Sequence, residues 1–119
     1  LSSLNVISEN EIKIVAKKIV ENVNPKKIIL FGSYSSDDFN EHSDLDLLII
    51  KETVLPSHQR GREVFKHLRG LKIPVDIIVY TPDEIKEWKD EKHSFISKIL
   101  EEGKVIYDRE TKEINSTMV

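Results

Sequence analysis

A chain of 119 residues with 33% charged and 39% apolar residues lies in the range where one hydrophobic core forms, and is too apolar for a disordered polymer. It contains no cysteine, which excludes disulfide frameworks, Cys-ligated zinc, iron–sulfur clusters and thiol nucleophiles, so any metal must bind through oxygen or histidine. The formal charge of −3, with acids and bases interspersed, argues against a sequence-independent grip on long nucleic acid, and no apolar run approaches the ~20 residues that span a bilayer.

The first residues lack the charged-then-apolar layout of a signal peptide, so a cytoplasmic protein without membrane attachment is expected. Ser8-Glu9-Asn10-Glu11 has the pattern of a capping box, in which a hydroxyl and a carboxylate satisfy the first free N–H groups of a helix. Ile12, Val15, Ala16, Ile19, Val20 and Val23 follow at helical spacing as one apolar stripe, and Pro25 ends the segment. From Lys27 to Gly32 the continuous run Ile28-Ile29-Leu30-Phe31 suits a strand covered on both faces.

Between Ser33 and Ser43 the composition is polar and aperiodic, which predicts a loop with room for a helical turn. A second strand is expected over Asp44 to Ile50, then a helix from His58 to Gly70 with Val64, Phe65, Leu68 and Leu71 inward, then a third strand over Ile73 to Tyr80. Thr81-Pro82-Asp83-Glu84 combines a Thr cap, Pro at the first helical position and a capping-box Glu. The resulting helix is expected to carry Ile85, Trp88, Phe95, Ile96, Ile99 and Leu100 on one inward face, with Asp90 to Lys92 solvated and Gly103 as a left-handed stop. A short strand, Lys104 to Tyr107, completes residues 1–108 as a single domain, and residues 109–119, with little to bury, read as a mobile tail. The fold class is α/β (α+β), a small mixed sheet with helices mainly on one face.

The chemistry is concentrated in few positions. Alternation along a strand puts Asp44 and Asp46 on one side of the second strand and Leu45, Leu47 and Ile49 on the other. Asp76 occupies the equivalent side of the third strand with Ile78 and Tyr80. If the two strands pair so that these sides coincide, three carboxylates converge, and such a cluster repels itself unless hard cations such as Mg²⁺ or Mn²⁺ occupy it. Gly32-Ser33, at the end of the first strand, permits a sharp turn and close backbone approach to a phosphate. His42, His58, His67 and His93 lie in separate polar stretches and read as solvent-facing, whereas Tyr34 reads equally as a base-stacking or a packing residue.

The run Leu30-Phe31-Gly32-Ser33-Tyr34, followed by Ser43-Asp44-Leu45-Asp46-Leu47 and Val75-Asp76-Ile77, resembles the Gly-Ser motif, Asp-x-Asp motif and third Asp of minimal nucleotidyltransferases of the DNA polymerase β superfamily. The resemblance spans roughly Lys26 to Asp108 and implies the polymerase β-type nucleotidyltransferase fold. It further implies two Mg²⁺ ions held by Asp44, Asp46 and Asp76, a nucleoside triphosphate such as ATP with its β/γ-phosphates on Gly32 and Ser33, and attack of a hydroxyl on the α-phosphate. Asp76 would also serve as acceptor of the hydroxyl proton.

Short members of that family usually lack a C-terminal helical domain and often pair with a separate HEPN-type helical protein. The resemblance therefore implies an antitoxin that modifies its partner with AMP, with homo-oligomerisation left open. An antibiotic nucleotidyltransferase of the kanamycin type would require an added substrate domain. The sequence departs from the family where an Ala-Arg-Gly segment often follows the Gly-Ser motif: here stand Ser35, Ser36 and Asp37, then Asp38. Arg60 and Arg62 are candidates to replace the missing charge if the connection after the second strand folds over the site. The alternative is a catalytically weakened module that neutralises its partner by contact.

Overall fold

The computed structural model of the chain describes residues 6–36, 38–40, 42–111 and 113–114, the side chain of Glu113 excepted. Helix α1 spans Glu9–Val23, and its Ser8–Glu11 capping box forms as expected, with Ser8 Oγ accepting from the Glu11 N–H and the Glu11 carboxylate accepting from the Ser8 N–H. Asn24 ends the helix in the left-handed region, at φ 48°. Strand β1, Lys27–Phe31, runs into a 3₁₀ turn at Gly32–Tyr34, and β2 follows at Leu45–Ile50. Helix α2, Ser57–Phe65, tightens into a 3₁₀ turn at Lys66–Leu68 before β3, Val75–Tyr80.

The strands form one five-stranded sheet in the order β3-β2-β1-β4-β5, where β4 is Lys104–Asp108 and β5 is Glu113–Ile114. It is mixed: β2 and β3 are parallel, which requires the crossover that α2 supplies, and the other pairs are antiparallel. The larger core lies on one face, where Val15, Ala16 and Ile19 of α1 and Val64 of α2 meet Ile28, Leu30, Leu45, Leu47 and Ile49, all essentially inaccessible to water. On the other face a smaller cluster joins Ile29, Leu48 and Ile50 to Ile96 and Ile99. Among the described residues no helix is long and apolar enough to cross a membrane.

The segment after Thr81 departs from expectation. Instead of one helix there are two, α3 over Pro82–Trp88 and α4 over Phe95–Glu102. The apolar spacing from Ile85 to Ile99 fits one continuous stripe, yet the stripe is interrupted at Lys92, and Ser94 offers a competing cap. Its hydroxyl accepts from the Ser97 N–H and donates to the Trp88 carbonyl, and His93 takes φ 70° to make the corner. Asp90 to Lys92 accordingly lie in a turn rather than on a helix face. Trp88 and Phe95, freed from a common stripe, are 43% and 58% exposed. Phe65 is likewise exposed although its neighbours Val64 and Leu68 are buried.

Gly103 is extended at φ −77°, not left-handed. What requires glycine there is proximity, since a Cβ would stand 2.6 Å from the Ile99 carbonyl oxygen and 2.7 Å from Ile29 Cγ2. Past Asp108 the chain is tied where it is described. Arg109 donates to the carbonyls of Pro25 and Asn24, and Glu113–Ile114 pairs with Tyr107 and Asp108. The rest of the expected tail, residues 112 and 115–119, lies outside the described residues.

Candidate active site

The site is assembled at the end of β1 and the start of β2 and β3. Register pairs Phe31 with Asp46 across the antiparallel β1–β2 ladder and Asp46 with Asp76 across the parallel β2–β3 ladder. Phe31, Asp46 and Asp76 therefore form one row over three neighbouring strands, spaced by about 4.8 Å per strand. Their side of the sheet is that of Leu48 and Ile50, the face covered by α4. Asp44 stands just before β2, two residues from Asp46.

Charge confirms the crowding. The Asp46 carboxyl is held above its usual range, first by partial burial and then by the negative charges of Asp76 and Asp44. Asp44 and Asp76 are themselves exposed. Asp76, in the middle of an apolar run in sequence, is the second residue of an edge strand and open to water.

Gly32 closes the row. It takes φ +72°, a conformation side chains rarely adopt, and a Cβ there would collide with Asp46 Oδ2. The turn that follows is fastened by its own carbonyls: Ser35 N–H donates to Gly32, while Ser36 and Asp38 N–H groups donate to Ser33. Ser33, half-buried, is carried on this turn beside the carboxylates. Tyr34 resolves to packing, because it is 4% exposed, its hydroxyl accepts from the Ile7 N–H at 2.8 Å, and its ring stacks on Phe39 with centroids 4.5 Å apart.

The donor set is all oxygen, the kind hard divalent cations take, and the raised Asp46 carboxyl marks negative charge that a cation would relieve. The residues thus match such an ion in donor chemistry. Among the described residues no three acidic, histidine or cysteine side chains are gathered closely enough to cage one.

Arg60 does not reach this site. Its guanidinium pairs with Glu84 at 2.6 Å and donates to the carbonyls of Leu55 and Val79, with only 10% of the side chain exposed. Val79 lies three residues beyond Asp76 along β3, about 10 Å away. Arg60 thus joins α2 to the end of β3 and to the capping carboxylate of α3, whose pKa it lowers. Arg62, exposed, lines a groove with Arg60, Ile78 and Trp88. His42, His58 and His93 are exposed as expected, whereas His67 is half-buried.

A feature that sequence reasoning missed is the cleft of about 670 Å³ between the Gly32–Ser36 turn and α4. The sequence gives no separate signal for it, because Phe95 and Ile99 continue the apolar spacing of Ile85 and Trp88.

A mixed sheet that sets Asp46 opposite Asp76 across two parallel strands, with Asp44 just before β2 and a Gly-Ser turn alongside, is the arrangement expected of a nucleotidyltransferase. Residues 10–112 match the family Polymerase beta, Nucleotidyltransferase, and the chain belongs to it. A candidate protein adenylyltransferase of Methanocaldococcus jannaschii is 34% identical over 84 residues, which cover 69% of this chain and 78% of that protein. Among solved structures, a candidate nucleotidyltransferase from Sulfolobus solfataricus superposes with a TM-score of 0.63 at 19% identity, covering 89% of this chain and 85% of the other. A toxin–antitoxin structure with AMP-PNP gives a TM-score of 0.56 at 23% identity, over 85% of this chain and 73% of the other. These two likenesses concern the fold.

Proposed function

We propose that the chain transfers AMP from Mg²⁺-bound ATP to a hydroxyl of a protein, acting in the cytoplasm as an antitoxin on a separate HEPN-type partner. The observation that carries the reading is the row of Asp46 and Asp76, with Asp44 beside it, abutting the Gly32 turn. The name of the methanogen relative, a candidate protein adenylyltransferase, supports the protein acceptor. The toxin–antitoxin structure with AMP-PNP supports both the adenine nucleotide and the partner.

In this reading Asp44 and Asp46 hold two Mg²⁺ ions, Asp76 holds the catalytic one, and Gly32 and Ser33 receive the β/γ-phosphates. When bound, the ions stabilise negative charge on the attacking and leaving oxygens. The chain's own part is positioning. The Gly32 turn brings phosphate against Asp46 because no side chain intervenes, and the parallel β2–β3 ladder fixes Asp76 opposite it. Asp76, exposed at the sheet edge, is accessible to an incoming hydroxyl and can accept its proton.

Calorimetric titration of ATP with Mg²⁺ tests the reading. Binding to the wild type that disappears in an Asp44→Asn/Asp46→Asn double variant is expected, together with a mass gain of one AMP on a co-expressed partner. Nucleotide-independent neutralisation of the partner by the double variant, equal to wild type, would favour the contact-only module instead. The specific observation behind that second reading is the Gly-Ser turn itself, where Ser35, Ser36 and Asp38 supply no cation.

A further inference from the structure

The cleft beside Gly32 is lined on one wall by Gly32, Ser35 and Ser36 and on the other by Phe95, Lys98 and Glu102. Its volume of about 670 Å³ is in the range of small-molecule sites. Positions 95, 98, 99 and 102 recur at helical spacing, so α4 presents one stripe to the cleft, with Lys98 at its middle.

The helix is held in place at both ends. Near its start Phe95 meets Phe31 edge-to-face, with centroids 5.8 Å apart and planes at 84°. At its end Gly103 packs directly on Ile29 and the Leu30 carbonyl, where no side chain fits. Phe31 in turn is the β1 member of the row that contains Asp46 and Asp76. Lys98 is thus carried on a fixed element beside the Gly-Ser turn, and its ammonium has no hydrogen-bond or ion-pair partner among the described residues.

We infer that Lys98 is the polyphosphate-binding cation of this site, supplying from α4 the positive charge that the Gly-Ser segment lacks. The assignment rests on the nucleotidyl-transfer reading above. A triphosphate would bring several negative charges to a turn that abuts Asp46, itself crowded by Asp76 and Asp44, and metal ions held by those carboxylates would leave phosphate charge toward α4 uncompensated. Lys98 faces the turn from the opposite wall as a flexible point charge with three donors, which suits phosphate oxygens of variable position. Arg60 is committed to Glu84. Glu102 is the one carboxylate on the same stripe, a turn farther toward Gly103, so the cleft is polarised along α4 rather than uniformly basic.

The test compares ATP with AMP, each with Mg²⁺, by calorimetry on wild type, Lys98→Met and Lys98→Arg. Methionine keeps the stem over the cleft and removes only the charge. The expected result is a loss of about tenfold or more in ATP affinity for Lys98→Met, little change for AMP, and recovery of ATP binding in Lys98→Arg. Equal losses for ATP and AMP, or none for either, overturn the assignment while leaving the nucleotidyl-transfer reading in place. Absence of Mg²⁺-dependent ATP binding in the wild type removes both. Unchanged melting temperatures across the three proteins confirm that the comparison reads charge rather than folding.

Discussion

Strand β2 shows two regions built to opposite ends. On one face Leu45, Leu47 and Ile49 are wholly buried under α1 and α2, each apolar and each neighboured by its own kind. On the other face the same strand carries Asp46, crowded by Asp76 and by Asp44 just before the strand, and set against a glycine turn that leaves no room for a side chain. The first arrangement lowers the free energy of the fold. The second raises it, since partial burial and mutual repulsion both disfavour the charged form of Asp46. Alternation along a strand lets one segment do both, so stability and charge concentration are separable by single substitutions on neighbouring residues.

The sharpest way to break the comparison is Asp46→Asn. Nucleotidyl transfer is expected to fall by about 100- to 1000-fold, the scale of losing one group that organises charge in a transition state. The metal-free protein is expected to melt at a higher temperature than wild type, because the repelled carboxylate is gone. Parallel activity and melting curves check both halves, and a lower melting temperature would show that Asp46 is structural. On the opposite face Leu47→Ala is expected to cost about 2–5 kcal/mol in denaturant unfolding, with no side chain of the site touched. Gly32→Ala joins the two regions, since it forces a Cβ into a left-handed backbone and onto Asp46. A loss of about 1–3 kcal/mol in stability is expected, with weaker nucleotide binding beyond what unfolding explains.

Much of this was legible because the relevant signals are local. The Ser8 and Thr81 capping boxes form as their spacing dictates, and the alternation of Asp44, Leu45, Asp46 and Leu47 places carboxylates and core on opposite faces. The fold class follows from the order of apolar segments, although its second face carries α3 and α4 as a smaller layer. What periodicity could not separate was α3 from α4, because the stripe from Ile85 to Ile99 stays in phase across a break decided by Ser94 and His93. The same continuity hides the cleft and the position of Lys98 on its wall. Arg60 is hard to place for a different reason: a basic residue on α2 has many anionic neighbours in prospect, and only the packing of α2 on β3 shows that Glu84 takes it and that the condition for reaching the site is not met.

The smallest expected effect compares two carboxylates outside the core. Glu84 has its pKa lowered, chiefly by the hydrogen bond from Arg60, whereas Asp46 has its pKa raised by burial and by Asp76 and Asp44. For Glu84 the folded state favours the ionised form, so its contribution is present above the ordinary carboxylate pKa, near 4.3, and is lost as pH falls through the lower folded value. For Asp46 the sign reverses: ionisation is disfavoured in the folded state, so the cost is present above the raised folded value and disappears on acidification. Glu84→Gln is therefore expected to lower stability at pH 7 by about 0.5–1 kcal/mol, with part of the pair exposed to solvent, and to flatten the decline of stability in acid. Asp46→Asn is expected to raise stability at pH 7 and to converge with wild type as pH drops toward 4. Urea unfolding of the three proteins between pH 3 and pH 7 resolves the two slopes. A common slope would mean that the repulsion around Asp46 is already screened by water, leaving Glu84 and Arg60 as the pH-dependent element of the fold.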